Sequence, residues 1–106
     1  MTLNEYQQLS RRTLPTGTPM GLANYAMGLT GESGEVVDHI KKHVFHGHKL
    51  DKAETMNELG DTLHYLSGIA SMIGCSLEDI AVMNIEKLKR RYPNGFSKED
   101  SINREY

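Results

Sequence analysis

Apolar residues recur at three- and four-residue intervals along most of this chain, a pattern that predicts helices and leaves no strand signal to compete. Leu3, Tyr6 and Leu9 share one side of a first helix over residues 2–13, and the stretch LPTGTPMG that follows is a linker no helix would keep. A long second helix is expected from about residue 20 to His46, carrying Leu22, Tyr25, Leu29, Val36, Ile40 and Val44, with Gly47 placed to stop it. Asp51 with Glu54 reads as a capping box for a third helix bearing Met56, Leu59, Leu63, Leu66, Ala70 and Ile73, ended near Gly74. Ser76 with Asp79 repeats that signal. The fourth helix is expected to bury Leu77, Ala81, Ile85 and Leu88, and Pro93 with Gly95 ends it before a polar tail over residues 93–106. With no internal repeat and no low-complexity segment, residues 1–106 read as one all-α domain, a helical bundle.

Composition narrows the picture. A chain of 106 residues can bury roughly two-thirds of its unfolded surface, enough for one small domain. Charged residues make up 25% and the net charge is −2, so no broad basic surface exists to coat a nucleic-acid polymer. The N-terminus lacks an apolar signal core, and no apolar run approaches the ~20 residues of a membrane span, so a cytoplasmic protein without membrane contact is expected. The single cysteine, Cys75, cannot pair within the chain and is expected to be a small buried side chain.

The chemistry lies in two pairs of carboxylates, Glu32 with Glu35 and Glu58 with Asp61. Residues three apart on a helix share a side, with Cβ atoms about 5–6 Å apart, so each pair can act on one cation. Beyond Glu58 and Asp61 the same direction is continued by Tyr65, Ile69 and Met72, which places these acids at a helix junction rather than in open water. Clustered carboxylates there repel one another until a proton, a basic side chain or a metal relieves them. Oxygen-only clusters suit hard cations, magnesium above all, which prefers a few carboxylates with water and substrate phosphate. A single pair of this kind is more often solvated surface charge. The second pair, and glycines Gly31, Gly34 and Gly60 beside both, favour a site, since helix-interior glycines suit places where helices approach closely.

These residues resemble the MazG-type nucleoside triphosphate pyrophosphohydrolases, an all-α superfamily whose signature is ExxE, a spacer, then ExxD. Glu32-Ser-Gly-Glu35 and Glu58-Leu-Gly-Asp61 match it, and the likeness extends to NEYQ with RRT, GLTGESGEVVD, ELGDTLHYL and NIEKLKRRYPNGF. The resemblance implies a four-helix-type bundle assembled as a homodimer or dimer of dimers. It implies cleavage of a (d)NTP between the α and β phosphates, to a monophosphate and pyrophosphate; whether this serves house-cleaning removal of abnormal nucleotides or control of a nucleotide pool is left open by the sequence. It further implies Mg²⁺, with Mn²⁺ as a substitute, held by Glu32, Glu35, Glu58 and Asp61.

Such hydrolysis requires cations on the triphosphate and a carboxylate to activate water; the residues do not show which of the four acids is that base, and Glu35 is singled out only because any of the others can equally be held on metal. On the fourth helix Asn84, Lys87 and Arg91 project along one side and can grip phosphate or base edges, although basic residues there also complement the helix dipole. The resemblance favours substrate for Lys87 and Arg91. His39, His43 and His46, followed by His48, have spacings open to zinc, but with no cysteine nearby they read mainly as solvated, their closeness to the Glu32 and Glu35 side leaving a minor role around the phosphates open. Asp61 with His64 imitates half of the Glu-x-x-His ligand set of di-iron bundles, but that reading needs a second such motif and the sequence has none. Tyr6, Tyr25 and Tyr65 read as packing before nucleobase stacking. The alternative to an enzyme is a noncatalytic helical oligomerisation or nucleotide-sensing module.

Overall fold

Each helix starts at a short polar side chain that accepts a hydrogen bond from a first-turn N–H, which would otherwise go without a partner. In the computed structural model, which describes residues 1–15 and 18–104, Thr2 caps α1 (Leu3–Ser10) and Thr18 caps α2 (Pro19–His46). Asp51, Ser76 and Ser97 do the same for α3 (Lys52–Met72), α4 (Leu77–Arg91) and α5 (Lys98–Ile102). A 3-10 turn, Arg11–Thr13, prolongs α1. The centre of the expected linker, Thr16 and Gly17, and the last two residues of the tail lie outside the described residues. α2 stops at Gly47 and the corner after α3 at Gly74, both at positive φ, where a side chain would strain the turn. The four expected helices are therefore present. α5 is an addition, because Ser97 accepts from the Asp100 N–H at 2.9 Å and starts a short helix within the polar tail.

α2 and α3 run antiparallel along each other as the main body of the molecule. Tyr25 of α2 lies over Gly68 of α3, and Tyr65 of α3 lies over Gly28 of α2. The two rings meet edge to face, with centroids 5.1 Å apart. The same register carries Glu32 to Asp61 and Glu58, and His39 to Glu58 and Glu54. Along α2 the seam reads Tyr25, Gly28, Glu32, Glu35, His39; along α3 it reads Gly68, Tyr65, Asp61, Glu58, Glu54. Both series advance by alternating steps of three and four, the spacing of a coiled-coil seam. One end of the seam is aromatic and the other is ionisable.

α4 leaves α3 through a bend of 103° and rests on α1. Polar residues of α1 make that junction. Gln7 Nε2 donates to Ser71 Oγ (3.0 Å) and to the Cys75 carbonyl (2.8 Å), while its Oε1 accepts from the Leu77 N–H (2.9 Å). Asn4 accepts from the Glu78 N–H at 3.3 Å and donates to the Glu78 carboxylate at 3.2 Å. The NEYQ segment thus completes the N-terminus of α4 with side chains from elsewhere in the chain. On the other side of α1, Ser10 Oγ lies 2.7 Å from His64 Nδ1, and Tyr25 donates to the Thr13 carbonyl at 3.1 Å.

The apolar interior is thin. Among the described residues the buried hydrophobic side chains are Tyr25, Ala70 and Leu77. The radius of gyration is 16.6 Å, against about 13 Å for a compact chain of 100 residues. Of the stripe expected to be buried on α4, Leu77 is buried, but Ile85 remains 51% and Leu88 40% exposed, because the bend carries α4 away from the hairpin. Cys75 is exposed rather than buried, in the open groove between this corner and Asn4, Gln7 and Gln8 of α1. Met56, Leu59, Leu66 and Ile73 on α3, with Ile40 and Val44 on α2, also face outward. Among the described residues of one chain the long helices α2 and α3 therefore form a pair, with α4 resting on α1.

Candidate metal and phosphate site

The ionisable half of the seam brings three of the four signature acids together. One carboxylate oxygen from each of Glu32, Glu58 and Asp61 lies within 4.8 Å of the others. Glu32 and Glu58 are half-buried and Asp61 is exposed, so the group forms a wet-edged cleft between α2 and α3. Burial first, and then the charges of Asp61, Glu58 and Glu35, raise the Glu32 pKa above its ordinary value, and a hydrogen bond with Glu58 acts in the same direction. A carboxyl whose proton is favoured by three neighbouring acids stands where a cation would relieve the same repulsion. The donors are all oxygen and close enough to share one hard ion, so the set fits Mg²⁺. Glu35 contributes to the charge felt by Glu32 but stands outside the close trio, exposed on α2.

The glycines beside the acids do not mark a close approach inside the chain. A Cβ on Gly31, Gly34 or Gly60 would meet nothing within 4 Å, whereas one on Gly28 or Gly68 would overlap a tyrosine ring. Close contact lies at the aromatic end of the seam, and the flanks of the acid cluster are bare.

The remaining candidates separate by helix. Asn84 and Lys87 line a shallow groove on α4 of about 480 Å³ with Ile80, Met83 and Arg90, apart from the acid seam. Arg91 follows one turn on, half-buried in the last turn of α4. Tyr25 and Tyr65 are packing residues of the hairpin. His64 lies among the hydroxyls of Ser10, Thr13 and Tyr25, which occupy both ring nitrogens, so it does not pair with Asp61 as a ligand. The histidines of α2 also divide. His43 Nδ1 is 2.8 Å from the His48 carbonyl, holding the loop after α2, while His39 turns to the acids of α3. Glu54, read from sequence as a capping residue, also joins this cluster. Its signal was the extension of the three-and-four spacing one step past Glu58.

The family model of the MazG nucleotide pyrophosphohydrolase domain matches residues 21–96. The "Gene 37 protein" of Mycobacterium phage L5 is 30% identical over 88 residues, which cover 79% of this chain and 77% of that protein. No solved structure gives a significant match. The matched span takes in the acid cluster, the seam that assembles it and all of α4, and with most of the chain so covered, this protein belongs to the MazG nucleotide pyrophosphohydrolase domain family.

Proposed function

We propose that this chain is a Mg²⁺-dependent nucleoside triphosphate pyrophosphohydrolase that cleaves (d)NTPs between the α and β phosphates. The observation that carries the reading is the convergence of Glu32, Glu58 and Asp61 in one cleft, with the Glu32 carboxyl pushed toward its protonated form. Bound there, Mg²⁺ would neutralise phosphate oxygens and lower the cost of bringing water to phosphorus. Glu58 and Asp61 are presented on one side of α3, and Glu32 reaches them from α2, so all three would serve as ligands. Glu35, exposed and one turn from Glu32, is the acid left free of the trio, and on this reading it orients the attacking water and takes its proton. Water adds, the α–β anhydride bond breaks, and pyrophosphate departs with the bridging oxygen or leaves it on the monophosphate.

The groove of Asn84 and Lys87, with Arg91 beyond it, is assigned to the substrate, supplied to the acid cleft by α4 of a second copy. Support comes from the bend that holds α4 off its own hairpin and from the apolar stripes of α2 and α3, which a second hairpin would cover in a four-helix bundle. A homodimer or dimer of dimers is thus part of the proposal.

Purified protein incubated with a panel of natural and damaged (d)NTPs and Mg²⁺ should release pyrophosphate and a monophosphate. Orthophosphate and a diphosphate as main products would overturn the reaction type, and no turnover of any nucleotide would return the chain to a binding role. Light scattering at micromolar concentration should give twice or four times 11.9 kDa. A monomer mass would remove the second copy from the site.

A further inference from the structure

The seam extends past the signature acids. Seven residues on from Glu32 along α2 is His39, and seven back from Asp61 along α3 is Glu54, with Glu58 between them. His39 Nε2 lies 3.5 Å from Glu58 Oε1 and 3.9 Å from Glu54 Oε1. Both separations exceed the 2.7–2.9 Å of a charge-assisted hydrogen bond. They approach the ~3.4 Å that separates two ligands of one tetrahedral ion with bonds of about 2.1 Å. Glu54 is the N3 residue of α3, where a capping box would fold its carboxylate back onto the Asp51 N–H; here it reaches across to His39.

We propose that His39, Glu54 and Glu58 form a second divalent-cation site, one whose nitrogen donor admits a first-row transition ion such as Zn²⁺ or Mn²⁺, with Glu58 shared between it and the all-oxygen cluster. The difference between the two clusters is the imidazole nitrogen. Carboxylate-only sites favour Mg²⁺, whereas a nitrogen donor raises affinity for first-row transition ions. His39 and Glu58 are partly shielded, with side chains 29% and 13% exposed, while Glu54 at 55% leaves the site open to solvent and to exchange of its ion. Two carboxylates balance a divalent charge, and the remaining coordination positions face water. A single shared carboxylate places two cations on adjacent turns of the seam.

The inference deepens the metal-dependent reading given above and rests on the same cleft, but its test uses no nucleotide, so the two can fail separately. The 106-residue chain, stripped of metal, is loaded with less than one equivalent of MnCl₂ in excess MgCl₂ and examined by pulsed EPR for ¹⁴N coupling from a directly bound imidazole. Wild-type protein and His43→Gln should both show it. His39→Gln should lose it, and Glu54→Gln, altering an exposed residue, should weaken Mn²⁺ binding by roughly tenfold or more, the least expected from tuning a metal's surroundings. Circular dichroism verifies that each variant is folded. No ¹⁴N coupling in the wild type, coupling that survives His39→Gln, or unchanged affinity in Glu54→Gln would each overturn the site.

Discussion

The Tyr25 ring covers the backbone of Gly68 so closely that a methyl group on that glycine would overlap the ring carbons. Gly28 stands in the same relation to Tyr65, so the two long helices are locked by a ring from each resting on a glycine of the other. Gly68→Ala or Gly28→Ala should each cost about 1–3 kcal/mol as the ring is forced from its seat, despite the better helix propensity of alanine. Denaturant titration followed by circular dichroism measures this. Unchanged midpoints in both variants would show that the seam is not packed as described.

Gln7 satisfies three groups at the corner between α3 and α4. Leucine at this position fills a similar volume but leaves the Leu77 N–H and the Cys75 carbonyl without that partner, at a cost of about 1–3 kcal/mol. Hydrogen exchange should accelerate in α1 and the first turn of α4 before it does so in the α2–α3 hairpin. Uniform acceleration along the chain would contradict a local role.

Replacing Glu58 with Gln or Asp61 with Asn retains size and hydrogen bonding while removing a charge from the cleft. Turnover should fall on the order of 10²-fold or more and Mg²⁺ binding should weaken, because a ligand to the cation is lost. Metal-free stability should hold or rise as like-charge repulsion is relieved. A variant that melts early yet turns over nucleotide at a near normal rate would place these acids in a structural role.

The raised pKa of Glu32 sets the sign of a pH effect. Folded protein binds this proton more tightly than the unfolded chain, so the stabilisation is complete below the ordinary value of 4.5 and is lost as pH rises through the folded pKa. Metal-free protein should therefore show a stability contribution that declines across that interval, and Glu32→Gln should abolish it. Mg²⁺ should reverse the decline by binding the carboxylate form. Melts in chelator at a series of pH values, repeated with Mg²⁺, provide the comparison, and identical pH profiles for wild type and Glu32→Gln would count against the cluster.

How far the site could be read in advance follows the range of the interactions involved. The pairs Glu32 with Glu35 and Glu58 with Asp61 are one helical turn apart, so sequence spacing alone put each pair on one side. Their meeting across two helices was an inference from family likeness, and the structure brings Glu32, Glu58 and Asp61 together while leaving Glu35 beside them. On sequence His39 reads mainly as a solvated residue and Glu54 as a cap, because each looks ordinary on its own helix. Cys75 reads as buried from its apolar neighbours, yet the corner at Gly74 leaves it exposed.

The helices themselves belong to the sequence. Their caps at Thr2, Thr18, Asp51 and Ser76, their apolar spacing and their stop at Gly47 are local properties, fixed by groups within a turn or two of one another. Which side chains face across the hairpin was decided only by tertiary packing. Tyrosine rings seated on glycines set one register between α2 and α3, and a slip of a turn would separate Glu32 from Asp61 while leaving every helix intact. Register depends on contacts between residues about forty positions apart, and helical periodicity carries no information about those partners.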